Sequence, residues 1–159
     1  MCSSDLTRLS EKEFWETSAL GLSLKRLKND KAILPRIVFE NKRGLPHIYN
    51  EGIEKAHIES TLVFIHDDVW IDDFFFSRRI RDGLNQFNII GVAGNVRHLP
   101  QQPAWAFIDK NFTWDDRVNL SGTVAHGKRP FGSLSNFGDT PKACALLDGV
   151  LLATHKKTL

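Results

Sequence analysis

Apolar and polar positions follow two rhythms along the first part of the chain. Leu20, Leu24 and Leu27 recur at helical spacing after Thr17-Ser18, a pair suited to capping a helix. Ile33 to Glu40 is rich in Ile, Val and Phe and reads as a strand. Beyond the loop Asn41-Lys42-Arg43-Gly44, one helical face collects Leu45, Ile48, Tyr49, Ile53 and Ala56. Leu62-Val63-Phe64-Ile65 is an unbroken apolar run, which fits a strand buried on both faces. A third stripe, Phe76, Ile80, Leu84 and Phe87, follows Asp72-Asp73, either of which can cap it. Ile89-Ile90-Gly91-Val92-Ala93-Gly94 is a further short buried strand. Helix and strand therefore alternate three times, which argues an α/β fold with a parallel sheet and right-handed crossovers.

The rhythm fails at both ends. Residues 1–16 resist assignment. Residues 95–142 hold most of the prolines and three aromatic-rich patches without sustained periodicity, and read as a long functional loop. Ala143 to Leu147 and Val150 to Thr154 resume as strands on either side of Asp148-Gly149.

Bulk properties narrow the classes. A chain of 159 residues suits a single domain, residues 1–159. With 21 basic and 19 acidic residues the net charge is +2, which gives no support for a nucleic-acid or membrane-surface role. Cys2 and Cys144 lie far apart and suggest no disulfide framework, so a cytoplasmic setting is expected. No apolar run approaches the ~20 residues of a membrane span, and the polar first residues do not read as a signal peptide.

The chemistry clusters at strand ends. His66-Asp67-Asp68 stands directly after the apolar run, where buried strands tend to present ligand-binding groups. Adjacent carboxylates disfavour each other's ionisation if buried, and a divalent cation relieves that cost. Capping and a salt bridge would explain the same residues equally well. Asn41, Gly44 and Asn50 lie where a strand-to-helix loop can take a nucleoside, or are ordinary turn and surface residues. Gly91-x-x-Gly94 permits close approach of a ligand to the backbone, or is a plain strand-to-loop turn. Trp105, Phe112, Trp114 and Phe131 can stack on an acceptor or close a satellite core. Asp148 interrupts two apolar runs, as a base on an acceptor hydroxyl or as a bulge residue held by backbone amides. The remaining histidines show no ligand spacing, and Cys144 reads as a buried thiol.

Three pieces together resemble a known family. They are Asn41-x-x-Gly44-Leu45 through Ala56, Leu62 through Val69, and Leu147-Asp148-Gly149 through Ala153, with Gly91-x-x-Gly94 and Trp105 fitting beside them. The order resembles family 2-like glycosyltransferases of the GT-A fold, in the bacterial subgroup whose metal motif reads His-x-Asp-Val. The resemblance implies a Rossmann-like three-layer sandwich with a mostly parallel central sheet. It divides the chain into a nucleotide-sugar-binding half, residues 17–96, and an incomplete acceptor-side half, residues 97–159. It further implies a nucleotide-sugar donor, Mn²⁺ or Mg²⁺, and inverting transfer to a saccharide, lipid-linked or protein acceptor. By that resemblance Asp68 and His66 take the metal positions and Asp67 lies near the ribose or diphosphate. Asn41, Gly44 and Asn50 line the donor pocket. Gly94, Trp105 and Gly149 also belong to the substrate site, and Asp148 is the catalytic candidate.

The chain departs from the family pattern twice. A first strand that would cradle the base looks short or missing, since only Met1-Cys2-Ser3-Ser4 stands near its place. Family members continue past the Asp-Gly strand into an acidic segment supplying the base, whereas this sequence stops at Leu159, as a truncated chain or a compact relative would. Two other readings compete: a non-catalytic remnant that binds a nucleotide-sugar or serves assembly, and a metal-dependent phosphohydrolase using His66-Asp67.

Overall fold

The computed structural model describes residues 2–159, which divide into two compact units: one that runs to Ile90 and resumes over Ala153–Leu159, and one over Gly91–Leu152.

The first unit is built on strand β1 (Cys2–Leu6), which pairs in parallel with β2 (Leu34–Val38) on one side and with β3 (Thr61–Ile65) on the other. The strand that looked short or missing is therefore present, inside the sheet between β2 and β3. Strands β4 (Ile89–Gly91) and β9 (Leu151–His155) complete a five-stranded sheet in the order β2-β1-β3-β9-β4. Leu62, Val63, Phe64 and Ile65 are all buried, as a continuous apolar strand requires.

Four helices accompany these strands. The first, α1 (Glu11–Thr17), opens on a capping box in which Ser10 Oγ accepts from the Glu13 N–H and the Glu13 carboxylate accepts from the Ser10 N–H. It buries Phe14 completely, edge-on to Phe39. Ser18 ends α1 and caps α2 (Ala19–Arg26), accepting from the Gly21 N–H at 2.9 Å. Leu20, Leu24 and Leu27 are the buried stripe, and Lys25 and Arg26 occupy the last turn. Helix α3 (Leu45–Lys55) buries Ile48 and leaves Asn50 exposed. Helix α4 (Phe76–Leu84) buries Phe76, Ile80 and Leu84. Its cap is Phe75 rather than either aspartate. Asp73 instead accepts from the Phe75 N–H at 2.7 Å, one turn earlier than a capping side chain would act.

The second unit overturns the long-loop reading of residues 95–142. It contains β5 (Ala93–Asn95), β6 (Leu120–His126), β7 (Ser133–Gly138) and β8 (Leu146–Leu147), ordered β7-β6-β5-β8 and antiparallel at every pairing. A short 3₁₀ turn, Arg117–Asn119, leads into β6.

The expected three-layer sandwich with one mostly parallel central sheet is thereby corrected. The chain is a small mixed α/β structure with two sheets. Parallel pairing is established for β1 with its two neighbours, and the other registered pairs are antiparallel. The physical reason lies beyond β4. Parallel neighbours need a crossover of a dozen or more residues, usually a helix. From β5 onward strand follows strand without an intervening α-helix, so the hydrogen-bonding partners come from hairpins and returns.

Candidate functional site

In the first unit, the chain leaves β3 at Ile65 and turns through His66, Asp67 and Asp68, where the Val69 N–H donates to the His66 carbonyl at 3.2 Å. The carboxyl ends of β1 and β2 lie beside it in the sheet. There the Asn41 N–H donates to the Thr7 carbonyl at 2.9 Å.

Helix α2 holds the loop from one side. The Leu20 N–H donates to the Asp67 carbonyl at 3.1 Å. The Ile71 N–H donates to Ser23 Oγ at 3.0 Å, and Arg26 donates to the Ile71 carbonyl at 2.9 Å. Arg26 also lies over the Trp70 ring, 5.8 Å from its centre. One helix therefore fixes the backbone both at Asp67 and past Trp70. Ser23 is fully buried, so Ser23→Ala would strand the Ile71 N–H without a partner. That change is expected to cost about 1–3 kcal/mol in urea unfolding, the usual desolvation cost of an orphaned buried donor.

The two acidic pairs differ. Asp72 pairs with Arg26 at 3.5 Å, and Asp73 pairs with Arg79 at 3.2 Å. The side chains of His66, Asp67 and Asp68 make no hydrogen bond or ion pair among the described residues. Asp68 is exposed, and His66 and Asp67 are half-buried. The premise of two carboxylates buried side by side does not hold; the fold presents them to solvent, where their mutual repulsion is small.

The donor-pocket candidates have local explanations. The Asn41 amide closes its own loop, donating to the Arg43 carbonyl at 2.6 Å and accepting from the Arg43 N–H at 3.1 Å. Gly44 is the N-cap of α3 at φ −68°, a conformation open to any residue. Asn50 projects from the exposed side of α3.

In the second unit, Asp148 follows β8. Its Oδ1 accepts from the Val150 N–H at 2.7 Å, its Oδ2 accepts from the Trp105 indole N–H, and its own N–H donates to the Ala93 carbonyl at 2.9 Å. Asp148 is thus satisfied by a backbone amide and by the Trp105 indole. Gly94 is held by packing, since a Cβ there would lie 2.4 Å from the Leu146 carbonyl oxygen of the adjacent strand. Gly149 is exposed, and a Cβ there would meet nothing within 4 Å.

Trp105 belongs to an aromatic cluster. Its ring meets Phe137 edge-on at 5.0 Å, and Phe137 stacks on Trp114 at 6.0 Å. Phe107 lies edge-on to both Phe112 and Trp114. Phe112 and Trp114 keep more than half of their surface exposed, so the cluster is only partly a satellite core. Phe131 is exposed.

Beneath Trp105 sits a polar network for which no role was expected. Asn95, fully buried, donates to the Trp105 carbonyl at 2.9 Å and to Asp115 at 2.8 Å. Arg97 grips both oxygens of Asp115, Asn119 donates to it at 3.0 Å, and the Asp116 N–H donates at 2.7 Å. The Arg97 guanidinium foremost, with the two asparagine amides, holds the Asp115 carboxyl far below the usual carboxylate range despite its burial. No periodicity marks these residues, because they hang from turns and a short strand. Cys144, expected to be buried, is half-buried, and burial pushes its thiol up.

Among the described residues no group of three His, Cys, Asp or Glu side chains gathers to hold a metal ion, and no helix is long and apolar enough to cross a membrane. No protein-family model matches the chain, and no curated protein or solved structure matches it significantly.

Proposed function

We infer that this chain binds the diphosphate of a nucleotide-sugar together with a divalent cation at His66-Asp67-Asp68, and transfers the sugar to an acceptor hydroxyl. The contrast between the acidic pairs carries the reading. Asp72 and Asp73 have arginine partners, whereas Asp67 and Asp68 stand at the end of a buried strand without one. Water satisfies exposed carboxylates, so what distinguishes this pair is its place at the carboxyl end of a buried strand, where ligand-binding groups tend to stand.

A cation held by two protein side chains would complete its coordination with phosphate oxygens and water, the common arrangement for Mg²⁺. Asp68 and His66 would hold Mn²⁺ or Mg²⁺. When bound, the cation supplies charge stabilisation for the departing diphosphate. Helix α2 keeps the loop backbone in place through Leu20, Ser23 and Arg26. Asp148 is the candidate acceptor-side carboxylate. Trp105 and Val150 fix its orientation, and each oxygen retains a lone pair for a hydroxyl.

A screen of nucleotide-sugars, with and without Mn²⁺, is expected to show metal-dependent release of nucleoside diphosphate from at least one donor. Asp148→Asn should lower that turnover by about 100-fold or more, the ordinary worth of a general base, while diphosphate binding persists. Metal-dependent binding without turnover of any donor would mark a non-catalytic donor-binding module instead.

A further inference from the structure

The overall charge of +2 conceals a local imbalance. Residues 117–138 contain Arg117, Lys128, Arg129 and His126 and no aspartate or glutamate. This span folds as the 3₁₀ turn, which carries Arg117, and the β6–β7 hairpin, whose connection carries Lys128 and Arg129. Strand β7 is the edge of its sheet. The connecting tip, residues 127–132, carries Lys128 and Arg129, both exposed and without an ion pair among the described residues. His126 stands exposed at the start of the tip.

Large apolar side chains accompany these cations. Phe131 is 71% exposed at the tip and Leu134 is 74% exposed on the edge strand. Leu134 faces Ala125 across the ladder, and Asn136 faces Thr123, so the outward face of the ribbon becomes apolar toward its tip. Two glycines shape the backbone there. Gly127 adopts φ +157°, and Gly132 lies so close to the His126 carbonyl that a Cβ would meet its oxygen at 2.1 Å. The exposed groups therefore ride on a tight reversal between two paired strands.

We propose that the tip of the β6–β7 hairpin docks on an anionic membrane surface. Charge complementarity selects the partner: basic residues next to a bilayer are drawn to acidic headgroups. The apolar residues separate this partner from a soluble polyanion. Amphipathic surface elements combine basic groups with aromatic and aliphatic side chains that enter the headgroup boundary. Lys128 and Arg129 supply the former, and Phe131 and Leu134 the latter. The contact is peripheral and reversible, since one short ribbon offers few groups. It does not depend on the donor-site reading and would persist if that reading failed.

Co-sedimentation with vesicles tests the proposal. The probes are phosphatidylcholine alone and an equal mixture of phosphatidylcholine with phosphatidylglycerol, at low and high salt. The chain is expected to bind the mixed vesicles at low salt, to release at high salt, and to ignore the neutral ones. Lys128→Ala with Arg129→Ala should weaken binding by about 25-fold, roughly fivefold per cation removed. Phe131→Ser should weaken it as well, with circular dichroism unchanged in both variants. Absence of binding to mixed vesicles at low salt would overturn the proposal. So would equal binding by wild type and the double variant, or hairpin-dependent capture by heparin without vesicle binding.

Discussion

Arg97→Met is expected to destabilise the chain by about 3 kcal/mol, with a fall in Tm of about 10 °C. The Asp115 side chain is 1% exposed, whereas its partner Arg97 is 44% exposed. Removing the arginine leaves a carboxylate deep in the structure with only amide donors, the costly way to break such a pair. Removing the carboxylate leaves a guanidinium that water can reach. Asp115→Asn, which keeps the shape and one acceptor, should therefore cost less, about 1–2 kcal/mol. Equal effects of the two substitutions would contradict this asymmetry. Since whole domains are stable by about 5–15 kcal/mol, the larger loss should be plain in thermal melts.

The same network has a pH signature. Asp115 is held below its unfolded-state value by Arg97 first and the asparagines next. A depressed carboxyl adds stability that is complete above the unfolded pKa, near about 4, and is lost as pH falls through the folded value. The stability gap between wild type and Arg97→Met should therefore be widest near neutrality and narrow below about pH 4. A gap that stayed constant into acid would show that the ion pair is not its source.

Long periodic segments were legible in the sequence, and so were both faces of the apolar run. Leu20, Leu24 and Leu27, and likewise Leu62 to Ile65, are buried where spacing placed them. The capping box Ser10-x-x-Glu13 is a weaker signal, because the helix it starts is only seven residues long and carries no sustained apolar stripe. The β6–β7 hairpin carried a signal too: Gly127 and Gly132 bound a turn between two strand-like runs. It was masked by the surrounding prolines and aromatics. Sheet architecture was not legible. Alternating helix and strand up to β4 says nothing of how later strands pair, and that pairing overturned the sandwich.

The candidate site was legible only as residue types. Asp67-Asp68 and Asp72-Asp73 look alike in sequence, and only the arginines brought beside the second pair separate them. Gly94 looked like a ligand contact and is explained by the neighbouring strand. Asn95, Arg97 and Asp115 looked like loop residues and form a network around a buried carboxylate.

Asp68→Ala should have the largest effect on binding. Asp68 is exposed and makes no structural bond among the described residues, so its loss should leave stability within about 0.5 kcal/mol. Its effect on a metal-bridged diphosphate should be severe. Loss of an outer-shell partner alone typically weakens metal sites by about 10–100-fold, and loss of a direct ligand should reach or exceed the upper figure. Separation of a folding effect from a binding effect is therefore built into this position.

Titration calorimetry of UDP and GDP into wild type and Asp68→Ala, each with Mn²⁺ and with chelator, tests the central claim most directly. Wild type is expected to bind one or both nucleotides in a Mn²⁺-dependent way and Asp68→Ala to bind about 100-fold more weakly, with unchanged melting of the free protein. Equal, metal-independent binding by the two proteins, or no binding by wild type, would contradict it.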